Sequence, residues 1–340
     1  MQFNSMKKIK FAIVGIGSIG RRHVAVIDAD ENSELVAICD TDPQKCKTQS
    51  ELYDGLKHYS DYSQMLQETE ADIISICTPH ALHCSMALMA AEKGFNILVE
   101  KPMALNTEDA DKMINAAKRE GVNLFVVKQN RFNVPVKLAK DALDQNRLGK
   151  IYMVQCNVLW NRNIEYYSNS DWRGKKSQEG GALFTQVSHF IDLMVWMFGD
   201  VTKATTNIKT MNHKIDVEDS GVANIEFDSG AIGSILWTTN VYNKNYEGSI
   251  TIIGEKGTIK IGGAYLNQID FWDVESYPLP NNINFADLPN NYGKYQGTSS
   301  NHDKVIKEIV KKLNREEGST VDGEEGKKSI SAIELIYANA

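Results

Sequence analysis

Residues 14–23 read VGIGSIGRRH and follow directly on the apolar run KIKFAI at 8–13. The spacing Gly15-x-Gly17-x-x-Gly20 falls where a strand hands over to a helix. At such a turn the first glycine permits a tight reversal and the second lets the backbone approach a pyrophosphate. The third lets helix and strand pack closely, and the helix N-terminus then faces the anion. Ser18 and Ile19, inside the loop, belong to the same binding surface. Asp40 ends the next apolar run, ELVAICD at 34–40, about twenty residues further on, where a carboxylate accepts hydrogen bonds from adenosine ribose hydroxyls. The competing reading is an aspartate that only opens the turn DTDP. A 2′-phosphate would face Asp40 with no arginine directly after it, so the pattern favours NAD over NADP.

Outward from this loop, the runs ADIISICTP (71–79), NILVE (96–100) and NLFVVKQN (123–130) alternate with amphipathic stretches at 81–94 and 107–120. That rhythm predicts repeated βα units and a parallel sheet. From residue 151 the strands lengthen and alternate: IYMVQCNVLW (151–160), VANIEFDSGAIGSILWTT (222–239) and GSITIIGEKGTIKIG (248–262). Their turns at DSG and EKG are hairpin signals. One apolar helix is expected over 180–198, terminal helices over 301–314 and 326–340, and an irregular loop over 276–298. The expected fold is α/β. A Rossmann dinucleotide-binding domain over 1–130 precedes a substrate-binding and oligomerisation α+β domain over 131–340 with a large, mostly antiparallel open sheet.

A chain of 340 residues suits about two domains. Its 42% apolar and 24% charged content is that of a globular protein, and the net charge of −7 argues against a nucleic-acid partner. Five cysteines without a C-x-x-C pair read as reduced thiols of a cytoplasmic protein. Residues 1–15 show no apolar export signal, and no apolar run reaches membrane-spanning length. Met6 is an alternative start, with 1–5 a short leader.

The stretch LVEKPMALN at 98–106 raises a chemical question. Glu100 and Lys101 leave an apolar strand at the sheet's carboxyl edge, where open parallel sheets bind ligands, and Pro102 stops the strand. Thr78 and Pro79, then His83, and finally Gln129, Asn130 and Arg131 occupy the corresponding ends of neighbouring runs. Each alone reads as a cap or turn residue; together they outline a pocket. Its cofactor side is Thr78, Pro79, His83, Glu100, Lys101 and Gln129. Glu100 orients the lysine, touches the nicotinamide ribose, or forms a plain ion pair at the strand end. In the apolar helix GGALFTQVSHFIDLMVWMFG (180–199), Thr185, Gln186, His189 and Asp192 form one polar stripe. A histidine titrating near neutrality is a natural base for a secondary alcohol; the plain reading is a satisfied core residue. No second His or Cys stands at ligand spacing there, so no metal is expected.

The glycine loop, Thr78-Pro79, Glu100-Lys101-Pro102, His189-x-x-Asp192 and the hairpin GEKGTIKI (254–261) together resemble the glucose–fructose oxidoreductase/inositol dehydrogenase superfamily over nearly the whole chain. KQNRFNVPV (128–136), LWNRNIEYYSNSDWRG (159–174) and GGALFTQVSHFID (180–192) resemble one branch, the UDP-N-acetylglucosaminuronate 3-dehydrogenases of bacterial surface-polysaccharide (lipopolysaccharide) synthesis. The resemblance implies that Lys101 and His189 are catalytic and flank the nicotinamide and a sugar whose C3 hydroxyl is oxidised. Many members carry Asp and Gly four and two residues before the histidine, where this chain has Thr185 and Val187, so His189 would act with Lys101 alone. A UDP-uronate needs cations, for which Arg131, Arg162, Arg173, Lys175 and Lys176 are candidates; the two lysines read more simply as solvated. Trp172 stacks on uracil or belongs to the core, and Asn130, Thr185 and Gln186 complete the substrate side. The resemblance also implies a dimer or tetramer through the C-terminal sheet and, in some members, reoxidation of NADH by 2-oxoglutarate. The alternatives are a dehydrogenase of a free sugar or inositol and a non-catalytic NAD-binding regulator, against which Lys101 and His189 argue.

Overall fold

The strand before the glycine loop, β1 (Ile9–Val14), is buried along almost its whole length, as a central strand of a covered parallel sheet must be. The computed structural model describes residues 7–53, 55–285, 289–291 and 296–340. After β1 come α1 (Ser18–Asp28), β2 (Ser33–Cys39), α2 (Pro43–Ser50), β3 (Lys57–Tyr59), α3 (Tyr62–Glu68), β4 (Ile73–Ile76), α4 (His83–Glu92), β5 (Asn96–Val99), α5 (Thr107–Glu120) and β6 (Leu124–Val126). The sheet order is β3-β2-β1-β4-β5-β6 and every pairing is parallel, which makes this a doubly wound Rossmann fold. The order reverses between β1 and β4, so the loops leaving those two strands form the crevice in which such sheets bind ligands.

Local chemistry fixes the helix after the Glu100-Lys101-Pro102 turn. Asn106 caps α5, its side chain accepting the Asp109 N–H at 2.7 Å. Glu108 and Asp109 occupy the first turn, Lys118 and Arg119 the last, and Gly121 ends the helix at φ +68°. All of these complement the helix dipole or its unpaired ends.

The chain divides into two units: residues up to Val127 with His302–Lys327, and Lys128–Asn301 with Lys328–Ala340. The boundary expected at 130/131 thus falls at 127/128, and the segment 302–327, expected in the second domain, belongs to the first. The second unit holds α6 (Val134–Asp144), β7 (Ile151–Leu159), α7 (Ile164–Ser168), α8 (Lys176–Glu179), α9 (Ala182–Thr185), α10 (Ser188–Phe198), β8 (Val201–Lys209), β9 (Ser220–Phe227), β10 (Ile232–Thr238), β11 (Glu247–Gly254), β12 (Gly257–Gly262) and β13 (Gln268–Val274). Its seven-stranded sheet, ordered β13-β12-β11-β7-β10-β9-β8, is antiparallel except between β7 and β10. One face buries Cys156, Ile225, Ile235, Trp237 and Ile250; Met153, Val222, Ile232, Leu236, Ile253 and Phe271 are exposed, and the pairing register sets these six on the opposite face.

Part of the loop expected over 276–298 lies outside the described residues; its described remainder includes β14 (Pro289–Asn291), paired with β15 (Gln296–Ser299). The last helices are α11 (His302–Leu313) and α12 (Gly323–Ala338). In the first unit α11 lies against α1, and the Val126 N–H donates to Val321 O.

The single helix expected over 180–198 is two, α9 and α10, preceded by the one-turn α8. Gly180 (φ +87°) and Gly181 (φ +126°) end α8 in a backbone region that side chains disfavour. The one-turn α9 then closes with Val187 N–H reaching back to Ala182 O, and α10 starts at Ser188.

Candidate active site

In the first unit the glycines have distinct tasks. A Cβ on Gly15 would lie 2.7 Å from the Cys77 carbonyl, and one on Gly20 1.8 Å from Gly15 O, whereas one on Gly17 would meet nothing within 4 Å. The first and third glycines are therefore required by packing, and the second leaves an open cradle at the start of α1, which has no side-chain cap. These residues fit a pyrophosphate. Asp40 shapes the loop as well as facing it: Oδ2 accepts the Ile16 N–H at 2.7 Å and Oδ1 the Asp42 N–H at 2.9 Å. A carboxylate has about four acceptor directions, so capacity for ribose hydroxyls remains.

The Glu100 carboxylate faces two histidines, of which burial holds His302 below its ordinary pKa. Oε2 accepts the Lys101 main-chain N–H at 3.0 Å, while Oε1 lies 3.0 Å from His23 Nε2 and 3.4 Å from His302 Nε2. His23 Nδ1 is 2.9 Å from Ser75 Oγ. Burial opposes the charged forms, but Cys77 and Glu100 outweigh it and push His23 up to about 10. The two imidazoles likewise hold the Glu100 carboxyl well below its ordinary range against its burial. Among the described residues, His23, Glu100 and His302 are the group whose donor atoms converge enough to hold a metal ion; the bonds to Ser75 and Lys101 account for His23 and Glu100, while neither ring nitrogen of buried His302 has a hydrogen-bond partner among the described residues.

His83, expected on the cofactor side, is fully buried between two main-chain carbonyls, with Nδ1 2.8 Å from Pro102 O and Nε2 2.9 Å from Thr78 O. Thr78 and Pro79 remain partly accessible beside it, and Lys101 is half-buried. The Thr78 hydroxyl points to Met86 Sδ at 3.5 Å.

In the second unit His189 is buried, 6% exposed, in the first turn of α10. Asp192, one turn on, receives a two-pronged contact from Arg131 (Nε to Oδ2 2.9 Å, Nη2 to Oδ1 2.8 Å) and Lys128 Nζ at 3.0 Å. Burial works against its charge, yet these cations hold its carboxyl well below the usual range. Arg131, expected as a substrate cation, is the partner that the buried Asp192 carboxylate demands; its guanidinium also lies 4.8 Å from the Trp196 ring.

Arg162 and Arg173 both lie against Tyr166, 5.4 and 4.1 Å from its ring centre, and Gln186 Nε2 donates to its hydroxyl at 3.0 Å. Arg162 also donates to Asn161 O and Asn245 Oδ1. Half-buried Trp172 lies 5.5 Å from the Arg173 guanidinium, and Lys175 and Lys176 are exposed. The Thr185 hydroxyl donates back to Gly181 O at 3.1 Å. Gln129 and Asn130 are buried in the short turn after β6, and both Asn130 amide atoms lack a hydrogen-bond partner among the described residues. Sequence reading missed His23, His302, Ser75, Lys128 and Tyr166. His23 carried a signal, three residues after Gly20 on α1; His302 had only its place before an amphipathic helix.

A doubly wound sheet with this glycine loop, an acidic residue after its second strand and a lysine after its fifth defines an NAD-binding oxidoreductase. Residues 9–128 match the oxidoreductase family NAD-binding Rossmann fold, and residues 136–260 the GFO/IDH/MocA C-terminal domain. The chain belongs to the GFO/IDH/MocA family of oxidoreductases, and its cofactor is NAD. It is similar to the WlbA dehydrogenase from Bordetella pertussis, solved with NADH and UDP-GlcNAcA: 38% identity over 98% of this chain and 97% of that one, TM-score 0.88. The WlbA enzyme from Chromobactrium violaceum, solved with the same two molecules, is 36% identical over 99% and 95%, TM-score 0.90. The D-glucoside 3-dehydrogenase of Escherichia coli is 25% identical over 70% of this chain and 71% of its own. The match to a 1-carboxy-3-chloro-3,4-dihydroxycyclohexa-1,5-diene dehydrogenase of Comamonas testosteroni, 26% identical, spans 73% of this chain but 63% of that protein. Among the described residues no helix is long and apolar enough to cross a membrane.

Proposed function

We propose that the protein oxidises the C3 hydroxyl of UDP-N-acetylglucosaminuronate to the 3-keto sugar in bacterial surface-polysaccharide synthesis. The observation that carries this reading is the likeness, over nearly the full length of both chains, to two dehydrogenases solved with NADH and UDP-GlcNAcA. The paired guanidiniums of Arg162 and Arg173 around Tyr166 support it, since an anionic substrate needs such a cationic pocket in a protein of net charge −7. Trp172 and Asn130 complete the substrate contacts in this reading.

His189 takes the hydroxyl proton, and Lys101 donates a hydrogen bond to the oxygen as it gains negative character. The nicotinamide supplies the hydride acceptor when bound. Thr185 turns its hydroxyl to the main chain, so in this reading His189 and Lys101 carry the proton chemistry between them. A second copy of the chain on the open sheet face and 2-oxoglutarate as the agent that reoxidises NADH complete the proposal.

The test is single-turnover reduction of NAD, read as reduced-nicotinamide absorbance, with 2-oxoglutarate added separately. A carboxylate held by arginine contributes about 1.5–3 kcal/mol, or roughly ten- to hundred-fold in affinity. UDP-N-acetylglucosaminuronate should therefore exceed UDP-N-acetylglucosamine by that factor. Lys101→Met and His189→Asn should each slow turnover by ~10²-fold or more. A faster turnover with a neutral, unphosphorylated polyol would overturn the assignment in favour of a free-sugar dehydrogenase.

A further inference from the structure

We propose that His83 is a positioning residue for Lys101, and that it works as an imidazolium bonded to two main-chain carbonyls at once. The inference rests on the catalytic reading of Lys101 above. Both ring nitrogens of His83 face carbonyl oxygens at hydrogen-bond distance, Pro102 O at 2.8 Å and Thr78 O at 2.9 Å. A carbonyl only accepts, so each contact requires an N–H, and a neutral ring has one. A bare nitrogen would leave two buried lone pairs facing each other without compensation. Burial acts most strongly on the ring and, with Lys101, draws its pKa below the ordinary value, while the Pro102 and Thr78 carbonyls and Glu100 favour the second proton. It is the geometry of two acceptors on one ring that calls for that proton, and the His80 ring centre is 5.8 Å away.

The placement gives this bridge its purpose. Thr78 follows β4 and Pro102 follows Lys101, so the ring ties together the turns leaving two adjacent strands. On the other side of Lys101, Glu100 accepts the lysine's own N–H and is itself held by His23 and His302. Both neighbours of Lys101 are thereby anchored to buried imidazoles.

Two measurements test this on the full-length protein. In a nitrogen-15 spectrum of the histidine-labelled wild type at neutral pH, one buried ring, absent from His83→Gln, should show two protonated nitrogens. A His83 ring with one bare nitrogen overturns the imidazolium. His83→Gln should lower kcat by roughly 10- to 100-fold, as a small misplacement of a reacting group does, with NAD affinity retained. Added to Lys101→Met it should cost almost nothing more, because the two act through one group. An equal fall in both backgrounds overturns the positioning role even if the spectrum is as expected. If Lys101→Met alone leaves turnover intact, the proposed function fails instead, and with it the purpose assigned to the bridge.

Discussion

At the scale of single residues, Asp40 fixes the Ile16 N–H within the glycine loop, and it follows β2, the place from which a carboxylate accepts ribose hydroxyls in such folds. Titration calorimetry should show NAD bound well ahead of NADP. Asp40→Ser combined with Thr41→Arg should narrow that gap by removing repulsion and adding a phosphate partner. The loop bond is lost with the carboxylate, so NAD affinity should also fall by about 1–3 kcal/mol, the cost of an orphaned buried donor. Equal binding of both cofactors by the natural protein would contradict the account. Residues of this kind are legible in the sequence because their chemistry is local: the glycine spacing, the acidic strand end and the Glu100-Lys101-Pro102 turn each declare themselves within a few positions. His23 and His302 do not, since their meaning lies in a carboxylate 77 residues from one of them and separated from the other by the sequence of the second unit. The pairing of Arg131 is hidden for a related reason, its partner Asp192 being 61 positions away.

At the scale of elements, the break between α9 and α10 shows where periodicity misleads. Residues 182–198 are apolar enough to read as one helix, with the glycine pair as its entrance. The structure adds a carboxylate to that entrance: Glu218 accepts from the Ala182 and Leu183 N–H groups at 3.0 and 3.4 Å and from the Tyr337 hydroxyl at 2.7 Å. Burial pushes its pKa from 4.5 up to about 7. A carboxyl raised in the folded state binds its proton more tightly there than in the unfolded chain, so stability is greatest below pH 4.5 from this group and declines as pH rises to about 7. The full loss is about 3 kcal/mol, at 1.36 kcal/mol per unit. Denaturant titrations across that window should show the decline in the natural protein and a flatter profile in Glu218→Gln. Identical slopes would mean that the carboxyl titrates normally.

At the scale of the whole molecule, the parallel and antiparallel halves are readable from strand rhythm alone, whereas the return of 302–327 to the first unit is not, because nothing in an amphipathic helix names the surface it will cover. The six exposed apolar side chains on one face of the second sheet exceed what scattered surface residues explain. Replacing Ile232 and Leu236 by glutamate should convert an assembled species to monomers in sedimentation velocity; an assembly that survives both changes has another interface. The return of 302–327 has a further consequence in time. A chain emerging from the ribosome presents all six parallel strands early, yet the surface of α1 that takes α11, the main-chain N–H of Val126 that takes Val321, and the Glu100 carboxylate that takes His302 must wait until nearly all of the second unit has been synthesised. The nucleotide-binding half is thus the first to begin folding and among the last to finish, and a nascent chain halted before residue 302 would expose that unfinished seam to chaperones.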